Sequence, residues 1–117
     1  MATSTLSAIV SRGSNSNGEW IRFEDGTQIC TKRENMGTVS HTNAWGSWYE
    51  STSLSLGNWA KEFAYQPTVS AITEGTAFWI EAIISPSKTS AGSCFLARPD
   101  SGSHSCIVDV IGIGRWK

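Results

Sequence analysis

Within the run Asp100-Ser101-Gly102-Ser103-His104-Ser105 the chain carries a carboxylate, hydroxyls and an imidazole, the residue types of a hydrolase that works by nucleophilic attack. Neighbours along one turn seldom meet as nucleophile, base and orienter, so no catalytic triad is expected from them. The ten carboxylates are scattered, and the adjacent pair Glu24-Asp25 sits in a turn where Asp25 caps the backbone, so no glycosidase pair is indicated. His41 and His104 are the only histidines, and a metal site would need carboxylates or subunit copies to complete it. No GxSxG, HExxH, Walker or dinucleotide fingerprint occurs, so neither a metal, a cofactor nor an enzymatic activity is expected. The chemical resource is aromatic: six tryptophans in 117 residues, whose rings fill cores or stack on sugars and other flat apolar faces. Trp20 and Trp79 fall inside predicted strands and Trp59 lies near Phe63, so packing is expected of all three. Trp45, Trp48 and Tyr49 follow a stretch with His41 and Asn43 that offers little core to fill. With Arg98, Asp100 and His104 on a second loop, these residues form the candidate binding set.

The elements that must position them are strands. Fifteen isoleucines and valines stand against six leucines and methionines, with eleven threonines, a bias toward side chains that fit a pleated sheet. A chain of 117 residues suits one domain and leaves no room for two cores. Nine basic and ten acidic residues give a net charge of -1 without a basic run, so a nucleic-acid partner is not expected. No apolar stretch approaches the roughly 20 residues that span a bilayer, and residues 1–10 lack the basic and long apolar regions of a signal peptide. Membrane insertion is therefore not expected either.

Leu6 to Val10 reads as an opening strand and Gly13 to Gly18 as a flexible link. This divides the chain into a segment 1–18, leading in from a longer parent protein, and a domain 19–117. Trp20 to Cys30 holds two β-prone runs around Asp25-Gly26. A two-residue loop would mix polar and apolar side chains on both faces. A three-residue loop, Glu24-Asp25-Gly26, pairs Phe23 with Thr27 and Ile21 with Ile29 and separates Ile21, Phe23 and Ile29 from Trp20, Arg22, Gln28 and Cys30. Glu34 to Ser47 has no period and is predicted to be a long loop. Glu50 to Leu56 reads as a strand with Ser51, Ser53 and Ser55 on its wet side, and 59 to 66 as irregular. Thr68–Thr73 and Ala77–Ile84 are predicted as antiparallel neighbours joined at Glu74-Gly75-Thr76, and Ser93–Arg98 and Cys106–Ile113 as a last pair around Pro99 to Ser103. About seven strands and no long helix give an all-β, antiparallel sandwich or barrel. Cys94 and Cys106, equidistant from Asp100, would face one another in a symmetric hairpin. Both a cross-strand disulfide and reduced thiols fit, and the third cysteine, Cys30, makes an odd count that favours buried reduced thiols.

From Ala8 to Cys30, through Arg12-Gly13-Ser14-Asn15, Asn17-Gly18 and Phe23-Glu24-Asp25-Gly26-Thr27-Gln28-Ile29-Cys30, the sequence resembles the C-terminal domain of bacteriophage and prophage tail fibres. The segment Trp59 to Val69 and the ending Ile111-Gly112-Ile113-Gly114-Arg115-Trp116-Lys117 are similar to that family too, whereas loops 34–50 and 85–105 match no motif of it. The resemblance implies an H-type lectin-like sandwich of six to seven antiparallel strands, a homotrimer continuing an upstream fibre shaft, and a place on the virion after synthesis in the bacterial cytoplasm. It implies attachment to a host receptor, a surface glycan such as lipopolysaccharide or capsule, or else an outer-membrane protein. His41 and His104 do not supply the His-x-His spacing of iron-holding fibre tips. The alternatives are a trimerisation or capping module that binds nothing and, with less support, a fragment of a polysaccharide depolymerase.

Overall fold

The hairpin around Asp25-Gly26 takes the three-residue loop that its side-chain pattern requires. In the computed structural model of the chain, which describes residues 8–75 and 77–117, β1 (Ile9–Asn15) and β2 (Gly18–Phe23) lead into a long β3 (Thr27–His41). Ile21 pairs with Ile29 and Trp20 with Cys30 across β2 and β3. Gly26 closes the turn at φ +98°, a left-handed conformation that side chains rarely adopt, and its N–H donates to the Phe23 carbonyl at 3.0 Å. Leu6 of the expected opening strand and Thr76 lie outside the described residues.

Seven further strands follow: β4 (Asn43–Trp45), β5 (Trp48–Glu50), β6 (Leu54–Ser55), β7 (Thr68–Gly75), β8 (Trp79–Ile84), β9 (Ser93–Arg98) and β10 (Gly102–Arg115). One sheet runs β1-β2-β3-β10-β7, and the second runs β4-β5-β9-β6 with β8 also paired to β9. All these pairings are antiparallel and no described residue is helical, so the fold is an antiparallel β-sandwich.

Four expectations about local structure are overturned. Gly13 to Gly18, expected to be a link, is the closed end of the β1–β2 hairpin, with Asn15 paired to Gly18 and its amide donating to the Ala60 carbonyl at 2.8 Å. Glu34 to Ser47 is mostly strand, because the long β10 pairs with β3 as far as His41. The strand expected over Glu50 to Leu56 shrinks to two residues, and Ser51 is buried rather than wet, its hydroxyl accepting from the Leu96 amide at 3.0 Å. Neither β7–β8 nor β9–β10 is a hairpin: β7 pairs with β10, β8 pairs with β9, and each short connection carries the chain from one sheet to the other. Cys94 and Cys106 accordingly belong to different sheets, and all three cysteines are free and buried. Burial, with the neighbouring Cys106 thiol second, pushes the Cys94 thiol up to about 11, leaving it unreactive at neutral pH.

The core lies between the sheets, with Cys30, Val39, Cys106, Val108 and Val110 from one side and Leu56, Phe78, Cys94 and Leu96 from the other. The irregular segment 59–66 closes one end, as expected without regular structure, and contributes buried Trp59 and Phe63, whose rings meet edge to face at 5.6 Å. The inward row of the first sheet is built to hold it. Gln28, fully buried, donates to the Lys61 carbonyl at 3.0 Å and accepts from Arg22 Nε at 2.7 Å, and Lys32 donates to the Asn58 carbonyl at 2.6 Å. Gly112 is glycine because Trp59 lies on it: a Cβ there would sit 2.7 Å from the indole. Gly112→Ala is expected to cost about 2 kcal/mol through this overpacking, read as a lower urea midpoint. An unchanged midpoint would mean that Trp59 does not cross β10.

The row that carries the isoleucines faces outward. Ile21, Ile29 and Ile113 stand side by side on β2, β3 and β10, with Ile111 and Ile72 beyond them. Ile72 is 63% exposed and Ile113 47%. The molecule is elongated, 61 × 27 × 23 Å. Its radius of gyration of 16.7 Å exceeds the ~13 Å of a compact chain this long.

Candidate functional site

Strand pairing decides which candidate residues share a surface, since residues directly opposite on neighbouring strands point to one face. In the second sheet Asn43 pairs with Glu50 and Trp45 with Trp48, across a two-residue turn that Gly46 begins at φ +61°. Glu50 pairs with Ala97, and Ala97 with Trp79. Leu96, the neighbour of Ala97, is fully buried in the core, so the whole Ala97 row points away from it. Asn43, Trp45, Trp48, Glu50 and Trp79 therefore share the outer face of the second sheet. The Trp48 and Trp79 rings meet edge to face at 4.9 Å, and Trp45 and Trp79 are 55% and 54% exposed. Ala97 is left buried beneath them although it faces outward.

Trp79 is thus not the packing residue that its strand position suggests. The reason is a β-bulge at Glu81, between Ile80 and Ala82, which shifts the alternation within β8. Ile80 and Ile83 turn inward against the core, and Trp79 is sent outward. Trp20 and Trp59 do pack, Trp20 from the edge of the core and Trp59 within it.

The other candidate residues fall on the opposite face, at the same end of the sandwich. Tyr49 pairs with Arg98, one residue along from the Ala97 row and hence inward. His41 is fully buried; its Nδ1 lies 2.7 Å from the Asp100 carbonyl and its Nε2 lies 2.7 Å from His104 Nδ1. A carbonyl oxygen only accepts, so His41 Nδ1 carries a proton. With both rings neutral, His41 Nε2 then accepts from His104 Nδ1–H. Phe78 stands edge-on to His41 at 5.2 Å, and the Arg98 guanidinium lies over Phe78 at 5.6 Å while donating to Asp100 Oδ1 at 2.8 Å and to the Ala77 carbonyl at 3.2 Å. The Arg98 hydrogen bond holds the Asp100 carboxyl below its usual range. These groups are spent on one another and plug the end of the core.

The eight candidates therefore divide in two: Asn43, Trp45 and Trp48 on an open platform, and His41, Tyr49, Arg98, Asp100 and His104 in or beside a closed network. Replacing His41 with alanine removes the partner of two polar groups and of the Phe78 edge, and is expected to cost about 3 kcal/mol in urea unfolding. Trp45→Ala, at an exposed position, is expected to stay within about 0.5 kcal/mol. Equal costs would contradict the division. Sequence reasoning missed Trp79, Glu50 and Glu81 on the platform and Phe78 in the plug. Glu50 was within reach, two residues after Trp48 and therefore on its face.

The sequence matches no protein-family model and no curated protein. Solved structures do match. An N-truncated R1-type pyocin tail fibre superposes with a TM-score of 0.60 at 14% identity, over 92% of this chain and 88% of that one. The fold is shared with pyocin tail fibres. A C-terminal fragment of a P. aeruginosa R1 pyocin fibre gives a TM-score of 0.55 at 13% identity, and there the chain spans 29% of the longer fibre while 92% of its own length is covered.

Proposed function

We propose that this chain is the receptor-binding tip of a phage or tailocin tail fibre, working as a homotrimer that adheres reversibly and without catalysis to a glycan on the bacterial surface. The observation that carries this reading is the exposed aromatic platform of Trp45, Trp48 and Trp79 on a fold shared with tail fibres. Flat indole faces take the apolar faces of sugar rings, and Asn43 at the platform edge supplies a donor and an acceptor for hydroxyls.

The subunits meet, in this reading, through the outer face of the first sheet. Ile21, Ile29 and Ile113 lie side by side there, with Ile111 between Thr31 and Ser70 and Ile72 opposite Asp109, an apolar surface that a monomer has no use for, and an elongated subunit gains the compactness it lacks by packing against copies of itself. The N-terminal side of the tip, ahead of the β1–β2 hairpin, then continues an upstream fibre shaft, and the assembly belongs to the virion. Because the subunits have this separate face to meet on, the aromatic platform stays free, which favours the adhesin over a cap that binds nothing.

Glu50 and Glu81 also lie by the platform, where burial first and Glu50 second raise the Glu81 carboxyl above its usual range, and release of reducing ends from the bound glycan is the sign that would mark a depolymerase instead. Adsorption of the purified chain to a panel of bacterial strains, competed with glycan extracted from the strain it binds, tests the proposal. Competition by the glycan with no release of reducing ends is the expected result. Adsorption that the glycan leaves untouched would move the receptor to a surface protein.

A further inference from the structure

Arg33 and Arg98 are tied to carboxylates, Arg33 to Asp109 and Glu74 and Arg98 to Asp100. Arg22 is held by neutral groups instead. Its Nε donates to Gln28 Oε1 at 2.7 Å, its Nη2 donates to the Glu62 carbonyl at 3.2 Å, and its guanidinium lies over the Trp116 ring at 5.2 Å. None of these partners cancels its charge, and no ion pair among the described residues includes it. A guanidinium carries its N–H groups in a planar fork, so Nη1 and the second hydrogen of Nη2 are left over as a pair of parallel donors.

Arg22 lines a cleft of about 460 Å³ between the closed end of the β1–β2 hairpin and the segment 58–62. Lys61 lines it too, with its ammonium 5.3 Å from the Trp20 ring centroid and in no ion pair among the described residues. Glu62 is the one carboxylate of the lining, and it is the backbone carbonyl of Glu62 that Arg22 engages. Lys32, buried behind Asn58, is neutralised by Glu34 at 2.9 Å and donates to the Asn58 carbonyl. The lining therefore sets two cations against one anion, and Asn17, Asn58 and Thr89 add amide and hydroxyl groups of the kind that hydrogen-bond to sugar hydroxyls.

The cleft is on the inward side of the first sheet, since Arg22 pairs with the buried Gln28, so contact between subunits on the outer face leaves it open. It lies near the start of β3, whereas the aromatic platform follows the other end of that strand. A neutral sugar would leave the guanidinium charge uncancelled. A carboxylate or a phosphate accepts both parallel N–H groups and cancels the charge, and Arg22 is already fixed in place to receive it. We propose that this cleft binds an acidic sugar, with the Arg22 fork on its carboxylate or phosphate oxygens and Lys61 supplying a second positive charge. The site is separate from the platform, and it rests on the proposed function only in taking a sugar as the carrier of the oxyanion.

The test uses the full chain, isotope-labelled and titrated at low salt with glucuronate, glucose 6-phosphate, glucose and inorganic phosphate, and reads the side-chain N–H signals of Arg22, Asn17 and Asn58 and the indole N–H signals by NMR. At least one acidic sugar is expected to bind about tenfold more tightly than glucose, the worth of one charge-assisted contact at a half-exposed site. It should move the Arg22 signal and leave the Trp45 and Trp79 indole signals in place, and the tighter of the two acidic sugars identifies the oxyanion as carboxylate or phosphate. Asn17→Asp puts a competing carboxylate in the cleft wall without removing a partner of Arg22, and is expected to bring both acidic sugars down to the level of glucose. Glucose binding as tightly as both acidic sugars would overturn the proposal, as would undiminished acidic-sugar binding by Asn17→Asp. Inorganic phosphate binding as tightly as glucose 6-phosphate, with glucuronate no better than glucose, would overturn it too and leave an adventitious ion only. None of these failures touches the platform, because Trp45 and Trp79 are not part of the cleft and adsorption to cells reads them separately.

Discussion

Substituting Trp45 and Trp79 together with alanine is expected to lower adsorption to receptive bacteria by about a thousandfold or more while leaving the subunit mass and melting curve unchanged. Both indoles are more than half exposed, so their removal opens no cavity. A sugar ring covering an indole face buries apolar area worth about 2 kcal/mol, which is roughly thirtyfold per subunit at 1.4 kcal/mol per tenfold. When three subunits hold one repetitive surface, losses at each contact multiply until attachment is left to the weakest geometry. Adsorption isotherms on fixed cells would read the effect. A loss of only a few fold, with the trimer intact, would place the receptor site elsewhere on the molecule.

The second large effect concerns assembly. Ile113→Arg is expected to convert a trimer, near three times 12.7 kDa by light scattering, into a monomer of 12.7 kDa. Ile113 sits in the middle of the outward row with Ile29 beside it and is 47% exposed in the single subunit, so the arginine reaches water in the monomer and strains nothing. In the trimer the same side chain meets apolar surface from a neighbour, and each buried guanidinium without a partner costs several kcal/mol, repeated at every interface. Lys61→Ala, on the other face of the first sheet, is the control and should remain trimeric. Retention of the trimer by Ile113→Arg would show that the subunits do not meet on this face.

What the sequence disclosed depends on whether alternation survives. The β2–β3 hairpin was legible because Ile21, Phe23 and Ile29 stay in phase through a loop of defined length. The second half of β3 was not. An extra residue at Met36, where Cys106 pairs with Gly37 but Ile107 with Asn35, moves the inward positions from Lys32 and Glu34 to Val39 and His41. The strand therefore reads as an aperiodic polar loop. The bulge at Glu81 hides the facing of Trp79 in the same manner. Short connections misled for another reason: a tight turn serves a hairpin and a crossing between sheets equally, so Glu74-Gly75 and Pro99 to Ser101 could not announce that β7 and β8, or β9 and β10, separate. Loop composition pointed to one end of the molecule, and Trp45, Trp48 and Asn43 share the outer face of the second sheet there. Composition does not report which face a residue takes, so His41, Arg98, Asp100 and His104 were grouped with them although they bond inward.

The most direct test of the account is a tryptophan oxidation footprint of the chain bound to bacterial cells, read residue by residue by mass spectrometry against the free chain. Protection of Trp45, Trp48 and Trp79 is predicted, with Trp20 and Trp116 oxidised as in the free chain and the buried Trp59 silent in both. Unchanged oxidation of Trp45 and Trp79 on cells to which the chain is firmly attached would contradict the assignment of the outer face of the second sheet as the receptor-binding surface.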